Sequence, residues 1–326
     1  MNVLLVCHAG AGIGLGHFSR SLVIAKALGE RFGADVHWLI QGGALERSDL
    51  KTFHHRFIPP DGDLVEEIVS EEPADLVLFD LHPQYVPQNF GSAINRLRAS
   101  GAKVVAIDGL LAYRPDLDLI FIPSFQFMPP QNLKAGAPII FGWDCFLLDA
   151  SLPPKPWQPG CRVLILTGGS DVTRLGETWP CLLNESLPED IVLDWVTGPF
   201  AQRPRWPHIR RLKFVEHVAP DGLEPLMQQS NYAITVFGVS FFELLRLGVP
   251  TVVFSPYGGK DSSELDAIAE QGVALVANNE REAIDRLVEL LKQDELARQL
   301  SERARTTLKT SGVDRLCSEI ATLVAA

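Results

Sequence analysis

The sequence has few cysteines and none of them are paired by spacing. Five occur in 326 residues (Cys7, Cys145, Cys161, Cys181 and Cys317), an odd number, widely scattered and without a C-x-x-C pair. That argues against a disulfide framework or a cysteine zinc site and reads as free thiols in a reducing cytoplasm. Long apolar runs are also missing. No window approaches the roughly 18 consecutive apolar residues of a membrane span, so no integral membrane segment is expected. The opening "MNVLLVCHAG" has no basic lead and only a short apolar run, which suits a first strand rather than a signal peptide. No basic arm stands out either: 40 Asp and Glu against 29 Lys and Arg leave a formal charge of −11, spread over both halves. No nucleic-acid partner is expected of such a chain. The eight histidines show no metal-ligand spacing, so the expected site holds no metal.

What is present is alternation. In the first half "NVLLVC", "DVHWLI", "DLVLFD", "KVVAID" and "LIFIP" read as strands, almost continuously apolar as in a parallel sheet covered on both faces. Helical patterns lie between them, from His17 to Phe32 and from Val86 to Ser100, while His54 and His55 fall in a polar connection. The proline-rich "ASLPPKPWQPGC", residues 150–161, reads as a stiff connection. The pattern then restarts with "CRVLILTGGSD", "IVLDWVTG", "IRRLKFV", "YAITVFG", "PTVVFSP" and "GVALVA", and a helical tail from Glu280 breaks near Thr310 to Gly312. The predicted class is α/β, with two doubly wound Rossmann-like domains facing a central cleft. They cover residues 1–150 and 161–310, and a terminal helix over 311–326 is expected to pack back on the first domain. Such sheets bind ligands outside the carboxyl ends of their strands, so the chemistry is expected in the loops that follow them.

The stretch "VCHAGAGIGLGHFSRSLVIAKAL" sets Gly10, Gly12, Gly14 and Gly16 before His17. The dinucleotide spacing G-x-G-x-x-G fails in each register, because Leu15 or His17 takes the place of the third glycine. The second strand also runs into Gln41 and Gly42 instead of an acid, so no nicotinamide or flavin cofactor is expected. What remains is a loop whose backbone can approach a ligand closely, followed by a helix starting near His17. The helix dipole there disfavours the imidazolium, which suits a histidine that accepts a proton as general base. The plainer alternative is a histidine packed under the loop. His8, ending the first strand, reads as structural.

In "LTGGSD" the backbone of Gly168, Gly169 and Ser170 can form an anion nest. In "YAITVFGVSFFELLRLGVPTVVFSP" Gly238 allows a turn and a helix starts near Ser240, offering free N–H groups to a phosphate. Glu243 is expected in the first turn of that helix. There it can accept from two adjacent sugar hydroxyls or reach back as a capping glutamate, and spacing leaves both open. Asp80 and His82 in "LFDLHPQ", Asp108 in "AIDG" and Asp261 in "YGGKDSSE" are further strand-end candidates for sugar or acceptor contacts.

Taken together, these residues resemble the GT-B superfamily of nucleotide-sugar enzymes. Two branches come closest: the UDP-sugar hydrolases of the pseudaminic acid pathway and the family-28 glycosyltransferases, which include the N-acetylglucosaminyltransferase of peptidoglycan synthesis. "GLGHFSRSLVIAKAL" is similar to the G-x-G-H-x-x-R-x-x-x-(x)-A-x-x-L signature of both. "LTGGSD" resembles the hydrolase branch's second-domain turn, and "FGVSFFELLRLGVPTVV" resembles the donor-site helix with its glutamate. The resemblance implies a GT-B fold and a UDP-sugar as substrate, with no cofactor. It places His17 at the reacting centre, activating water in a hydrolase or beside the acceptor hydroxyl in a transferase. Gly14 and Gly16 would admit the diphosphate, Gly238, Ser240 and their neighbours would bind phosphate, and Glu243 would hold the ribose. The backbone of Phe214 and Val215 through Glu216 would contact uracil.

The chain departs from the hydrolase branch on the sugar side. His82 stands where that branch has tyrosine, Gly109 follows Asp108 where it has a paired acid, and "KDSSE" replaces its Asn-Gln pair. The expectation is a metal-independent inverting glycosyltransferase of bacterial cell-surface glycan or glycoconjugate synthesis, with a small-molecule or glycan acceptor. The alternatives are a UDP-sugar hydrolase and a non-catalytic nucleotide-sugar-binding protein.

Overall fold

Two parallel sheets organise the chain. The computed structural model describes residues 1–10, 13–44, 48–149 and 151–325; Gly12 of the glycine run, Ala150 at the head of the proline-rich connection and Ala326 lie outside the described residues. The chain divides into two compact units, one of Met1–Leu148 with Thr310–Ala326 and one of Asp149–Lys309.

The first unit runs β1 (Asn2–Ala9), α1 (Gly16–Phe32), β2 (Asp35–Gly42), β3 (His54–Ile58), α2 (Leu64–Val69), β4 (Leu76–Asp80), α3 (Phe90–Ala99), β5 (Lys103–Ile107), β6 (Leu119–Phe121) and β7 (Ile139–Ile140). Every pairing is parallel, in the order β3-β2-β1-β4-β5-β6-β7. On one face Leu4, Val6, Val77 and Phe79 pack with Phe90 and Ile94 of α3. On the other, Phe18 of α1 stacks on Trp38 of β2 with ring centroids 5.0 Å apart, both fully buried. Burying such a side chain contributes about 1.5–3 kcal/mol, which is why α1 docks by its apolar stripe. The helix ends where Gly33 takes a left-handed φ of 57° and returns its N–H to Gly29 O.

His54 and His55 are part of β3, opposite His37 and Trp38, and not of a connection. An edge strand has one unpaired rim and tolerates polar side chains, so its pattern resembled a loop. The expected helix from Val86 begins four residues later, at Phe90, after a short turn from Pro83 to Tyr85.

The second unit runs β8 (Arg162–Leu166), α4 (Leu175–Ser186), β9 (Val192–Thr197), β10 (Lys213–Val218), α5 (Glu224–Gln229), β11 (Tyr232–Val236), α6 (Val239–Leu247), β12 (Thr251–Phe254), α7 (Ser262–Gln271), β13 (Leu275–Val276), α8 (Glu280–Leu290) and α9 (Asp294–Thr307). Its sheet repeats the first one's order, β10-β9-β8-β11-β12-β13. Val163, Ile165, Leu193 and Trp195 pack one face against Trp179, Leu183 and Leu287. Leu164, Leu166 and Val196 pack the other against Met227, Leu244 and Leu247. With helices on both faces, each strand must be apolar throughout, as the sequence shows.

The last helix, α10 (Gly312–Ala325), belongs to the first unit. Gly312 donates its N–H to Phe146 O at 2.7 Å, and a Cβ at this position would lie 2.3 Å from the Cys145 carbonyl carbon, so only glycine fits. Arg315 Nη1 grips both oxygens of Asp144 at 2.7 and 2.8 Å, and Ser311 Oγ donates to Leu148 O at 2.9 Å. Among the described residues no helix is long and apolar enough to cross a membrane.

Candidate active site

In the first sheet the strand order reverses between β1 and β4, the switch point where doubly wound sheets open a crevice. The glycine loop leaves β1 there. It is closed by Gly14 N donating to Gly10 O at 2.7 Å, and Gly14 adopts φ 84°, which a side chain would strain. Helix α1 then starts at Gly16 without a side-chain cap, so His17 stands in its first turn beside Asp80, the last residue of β4.

Four side chains meet at this point. His17 Nδ1 lies 2.6 Å from Asp80 Oδ1. Arg20, one turn along α1, donates Nη2 to Asp80 Oδ1 at 2.7 Å and Nε to Oδ2 at 3.1 Å, while its Nη1 reaches Asp108 Oδ2 at 2.7 Å. Asp80 is fully buried. Burial alone would raise its pKa, but the Arg20 guanidinium and the His17 ring outweigh it and hold the carboxyl below its ordinary value. Burial would likewise weaken the proton hold of Arg20, yet its two carboxylates push its pKa above the usual value. An ionised Asp80 can only accept, so Nδ1 of His17 must carry the proton between them. The lone pair of a neutral His17 ring then sits on Nε2, on the side of the ring away from Asp80. That is the arrangement of an oriented general base.

Asp80 therefore lies beneath His17, out of contact with solvent, whereas Asp108 keeps a side chain 39% exposed. Asp108 has φ 59°, a left-handed conformation that aspartate tolerates better than most residues. The His82 ring stands edge-on to His17, centroids 5.9 Å apart, with exposed Tyr85 5.3 Å beyond it. His8 supports the group from below: its Nε2 donates to Gln41 Oε1 at 3.2 Å and its Nδ1 accepts the His82 N–H at 3.0 Å. Burial drives the His8 pKa down to about 4 from 6.5, so it is neutral at neutral pH, in keeping with a structural part. An unfolded His8 binds a proton from about pH 6.5 downward while the folded one does so only near 4, so stability falls across that window. The full difference is about 3 kcal/mol at 1.36 kcal/mol per unit. Urea midpoints measured from pH 7 to 4.5 should fall less steeply in His8→Gln, and an unchanged slope would refute this assignment.

The second sheet has its switch point between β8 and β11, and two of the expected loops leave from there. Gly168 (φ 85°), Gly169 and Ser170 follow β8, and the Ser170 hydroxyl oxygen is buried without a hydrogen-bond partner. Asp171 next to them accepts from Leu175 N at 2.9 Å and Gly176 N at 2.8 Å, so α4 is capped from within. Helix α6 differs. It starts at Val239 after extended Gly238, with no side-chain cap bond and no acid in its first turn, so Ser240 sits among uncapped N–H groups. Glu243 is its fifth residue, in the second turn and not the first as expected. A capping box requires the third position, so the capping reading of Glu243 falls away.

Two further positions are displaced. The expected strand from Ile209 to Val215 loses its first four residues, Ile209 to Leu212. Asn184 takes Ile209 O, Arg211 N and Leu212 N and draws those residues off the sheet, so β10 begins at Lys213. Phe214 and Val215 are thus its second and third residues, short of its carboxyl end, and the Phe214 ring packs 5.0 Å from Trp206. Asp261 closes the turn after β12, its Oδ2 accepting the Ser255 hydroxyl at 2.5 Å.

No protein-family model matches the sequence, and no curated protein matches it. Solved structures do. MurG of Acinetobacter baumannii superposes with a TM-score of 0.65 at 16% identity over 99% of this chain and 100% of its own. CalG4, the calicheamicin glycosyltransferase, gives 0.62 at 15% over 99% and 98%, and S. aureus MnaA, solved with UDP, gives 0.60 at 15% over 100% and 97%. The likeness runs end to end through both sheets. This chain has the GT-B fold.

At such identities the fold is the property shared, and the site must be argued from its own residues. In this GT-B chain Arg20 is the residue that sequence reasoning left unassigned. Its signal was present: it follows His17 by three positions, which on a helix means the same face. In each of the two D-x-D triplets, residues 61–63 and 116–118, the second acid has a structural task. Asp63 caps α2 through Val65 N and Glu66 N, and Asp118 accepts from Val104 N and faces Arg98.

Proposed function

We propose that the protein is a metal-independent inverting glycosyltransferase that takes its sugar from a UDP-sugar. The observation that carries this reading is the His17–Asp80 pair at the first sheet's switch point, with the basic Nε2 turned away from the buried acid. His17 Nε2 removes the proton of an acceptor hydroxyl as that oxygen bonds to the anomeric carbon. The bond from that carbon to the diphosphate breaks in the same displacement, UDP leaves with the electron pair, and the configuration inverts. In the second unit, the uncapped first turn of α6 offers N–H groups of the kind that bind a diphosphate. The reading assigns the acceptor side to the first unit and the donor side to the second. It is supported by the glycine-loop signature, by the fold, and by UDP in the MnaA structure.

UDP release from a panel of UDP-sugars, with and without candidate acceptor alcohols, tests the proposal. Release that depends on an acceptor supports transfer. Rapid release with water as the only acceptor would assign the same base to hydrolysis, and no release with any donor would reduce the site to binding.

A further inference from the structure

The buried carboxylate poses a problem that the His17–Asp80 pair alone does not solve. An ionised acid at 2.6 Å from an imidazole stabilises the imidazolium, and a protonated His17 has no lone pair with which to act as a base. The helix N-terminus opposes that tendency but acts over the first turn only and weakly. Something further must counter the charge of Asp80.

We propose that Arg20 is the positioning residue of this site, engaging both oxygens of Asp80 so that the carboxylate orients the His17 ring without holding it as an imidazolium. The geometry separates the two functions. Oδ2 belongs to Arg20 Nε, while Oδ1 is shared between Arg20 Nη2 and His17 Nδ1. The guanidinium therefore sits against the carboxylate and also 3.0 Å from the ring nitrogen, where a fixed positive charge raises the energy of a second one on the ring. Its plane is fixed by a third bond, from Nη1 to Asp108, which explains why a half-exposed acid is kept in a left-handed turn at the end of β5. A lysine has the charge but carries its three donors on one nitrogen, so it cannot pair side-on with both Asp80 oxygens and reach Asp108 as the planar fork does.

Among the described groups around His17, Arg20 is the principal positive charge set against Asp80. His8, on β1, is neutral down to about pH 4, and Cys7 on the same strand is pushed up to about 12 by burial, so neither carries charge at neutral pH. His82, after β4, meets His17 edge-on and uses its Nδ1 to accept the Gln84 N–H. Asp80 on β4 and Asp108 after β5 are the acids, and Arg20 on α1 touches both.

The inference rests on the proposed base role of His17, but its first readout does not. Histidine-labelled protein is titrated by NMR without substrate, in wild type, Arg20→Gln, Arg20→Lys and Asp108→Asn. Loss of the guanidinium in Arg20→Gln should move the His17 midpoint up by about one pH unit or more, the usual scale for a nearby charge. Arg20→Lys should stay close to wild type in midpoint yet lose kcat, because charge is kept and geometry is not. Asp108→Asn removes a half-exposed acid and keeps the buried pair, so it offers a second route should Arg20→Gln fail to fold. Its midpoint should move down by a few tenths of a unit. A folded Arg20→Gln whose His17 midpoint stays within about 0.3 units of wild type would overturn the inference. So would an upward shift in Asp108→Asn. The acid limb of kcat/KM is then measured on the same variants. If the NMR midpoint moves and the limb does not, the role of Arg20 stands and the assignment of His17 as base fails.

Discussion

Replacing His17 with asparagine is expected to lower kcat/KM for UDP-sugar turnover by about 100- to 10,000-fold, the usual contribution of a positioned general base. The loss should fall mainly on kcat, because the proton moves only as the transition state forms. It should also abolish the acid limb of the pH profile, since no titrating base remains. The fold should hold. Asp80 keeps its two bonds to Arg20 when His17 is gone, so the stability cost is that of one lost hydrogen bond, about 1 kcal/mol. The two measurements together are decisive: turnover with its pH profile intact in a folded His17→Asn variant would mean that the ring only packs under the glycine loop.

Removing Asp80 is expected to act on stability first. Its side chain is 0% exposed and that of Arg20 only 10%, so Asp80→Ala leaves a guanidinium desolvated and held only by half-exposed Asp108. Breaking a buried pair from one side costs about 3–5 kcal/mol, a large part of the stability of an ordinary domain. Urea unfolding at pH 7 reads this directly, and a loss below about 1 kcal/mol would show that Asp80 is not the anchor of the cluster. The pH dependence has a definite sign. The folded pKa of Asp80 is depressed, so its stabilisation is complete above the ordinary carboxylate value of about 3.9 and is lost as pH falls through the lower folded value. Wild type should therefore lose stability below about pH 4 in a way that Asp80→Asn does not. The asparagine can also donate to Nδ1, turning the His17 proton onto Nε2, so this variant should be inactive even where it folds.

Much of this was legible in the sequence. The strand runs were recognisable because strands covered on both faces must be apolar throughout. The start of α1, expected near His17 and found at Gly16, is legible as a glycine run giving way to a 3.6-residue apolar period. Edge strands were where the reading failed. His54 and His55 carry no apolar alternation because one rim of β3 is unpaired, and the segment from Ile209 to Leu212 looked like a strand although Asn184, on a helix, had claimed its backbone. Glu243 falls one residue further into α6 than expected, past the first turn, because Val239 is already helical, and β-branched residues give weak notice of a helix start.

Single residues announced themselves by local chemistry: His17 by the glycines before it and the helix after it, Asp80 and Asp108 by ending apolar runs. None of that says which of them touch. His17 meets Asp80 across 63 positions of sequence, and Arg20 meets Asp108 across 88. Those contacts exist because the sheet places β4 beside β1 and β5 beyond it, bringing three strand ends and one helix start to a single switch point. Local pattern determined the elements and the reactive groups at their ends, since periodicity and helix dipoles act within a few residues. Only the parallel strand order decided that a histidine, an arginine and two acids would share one set of protons, because hydrogen bonding between strands distant in sequence leaves no mark on the spacing of either.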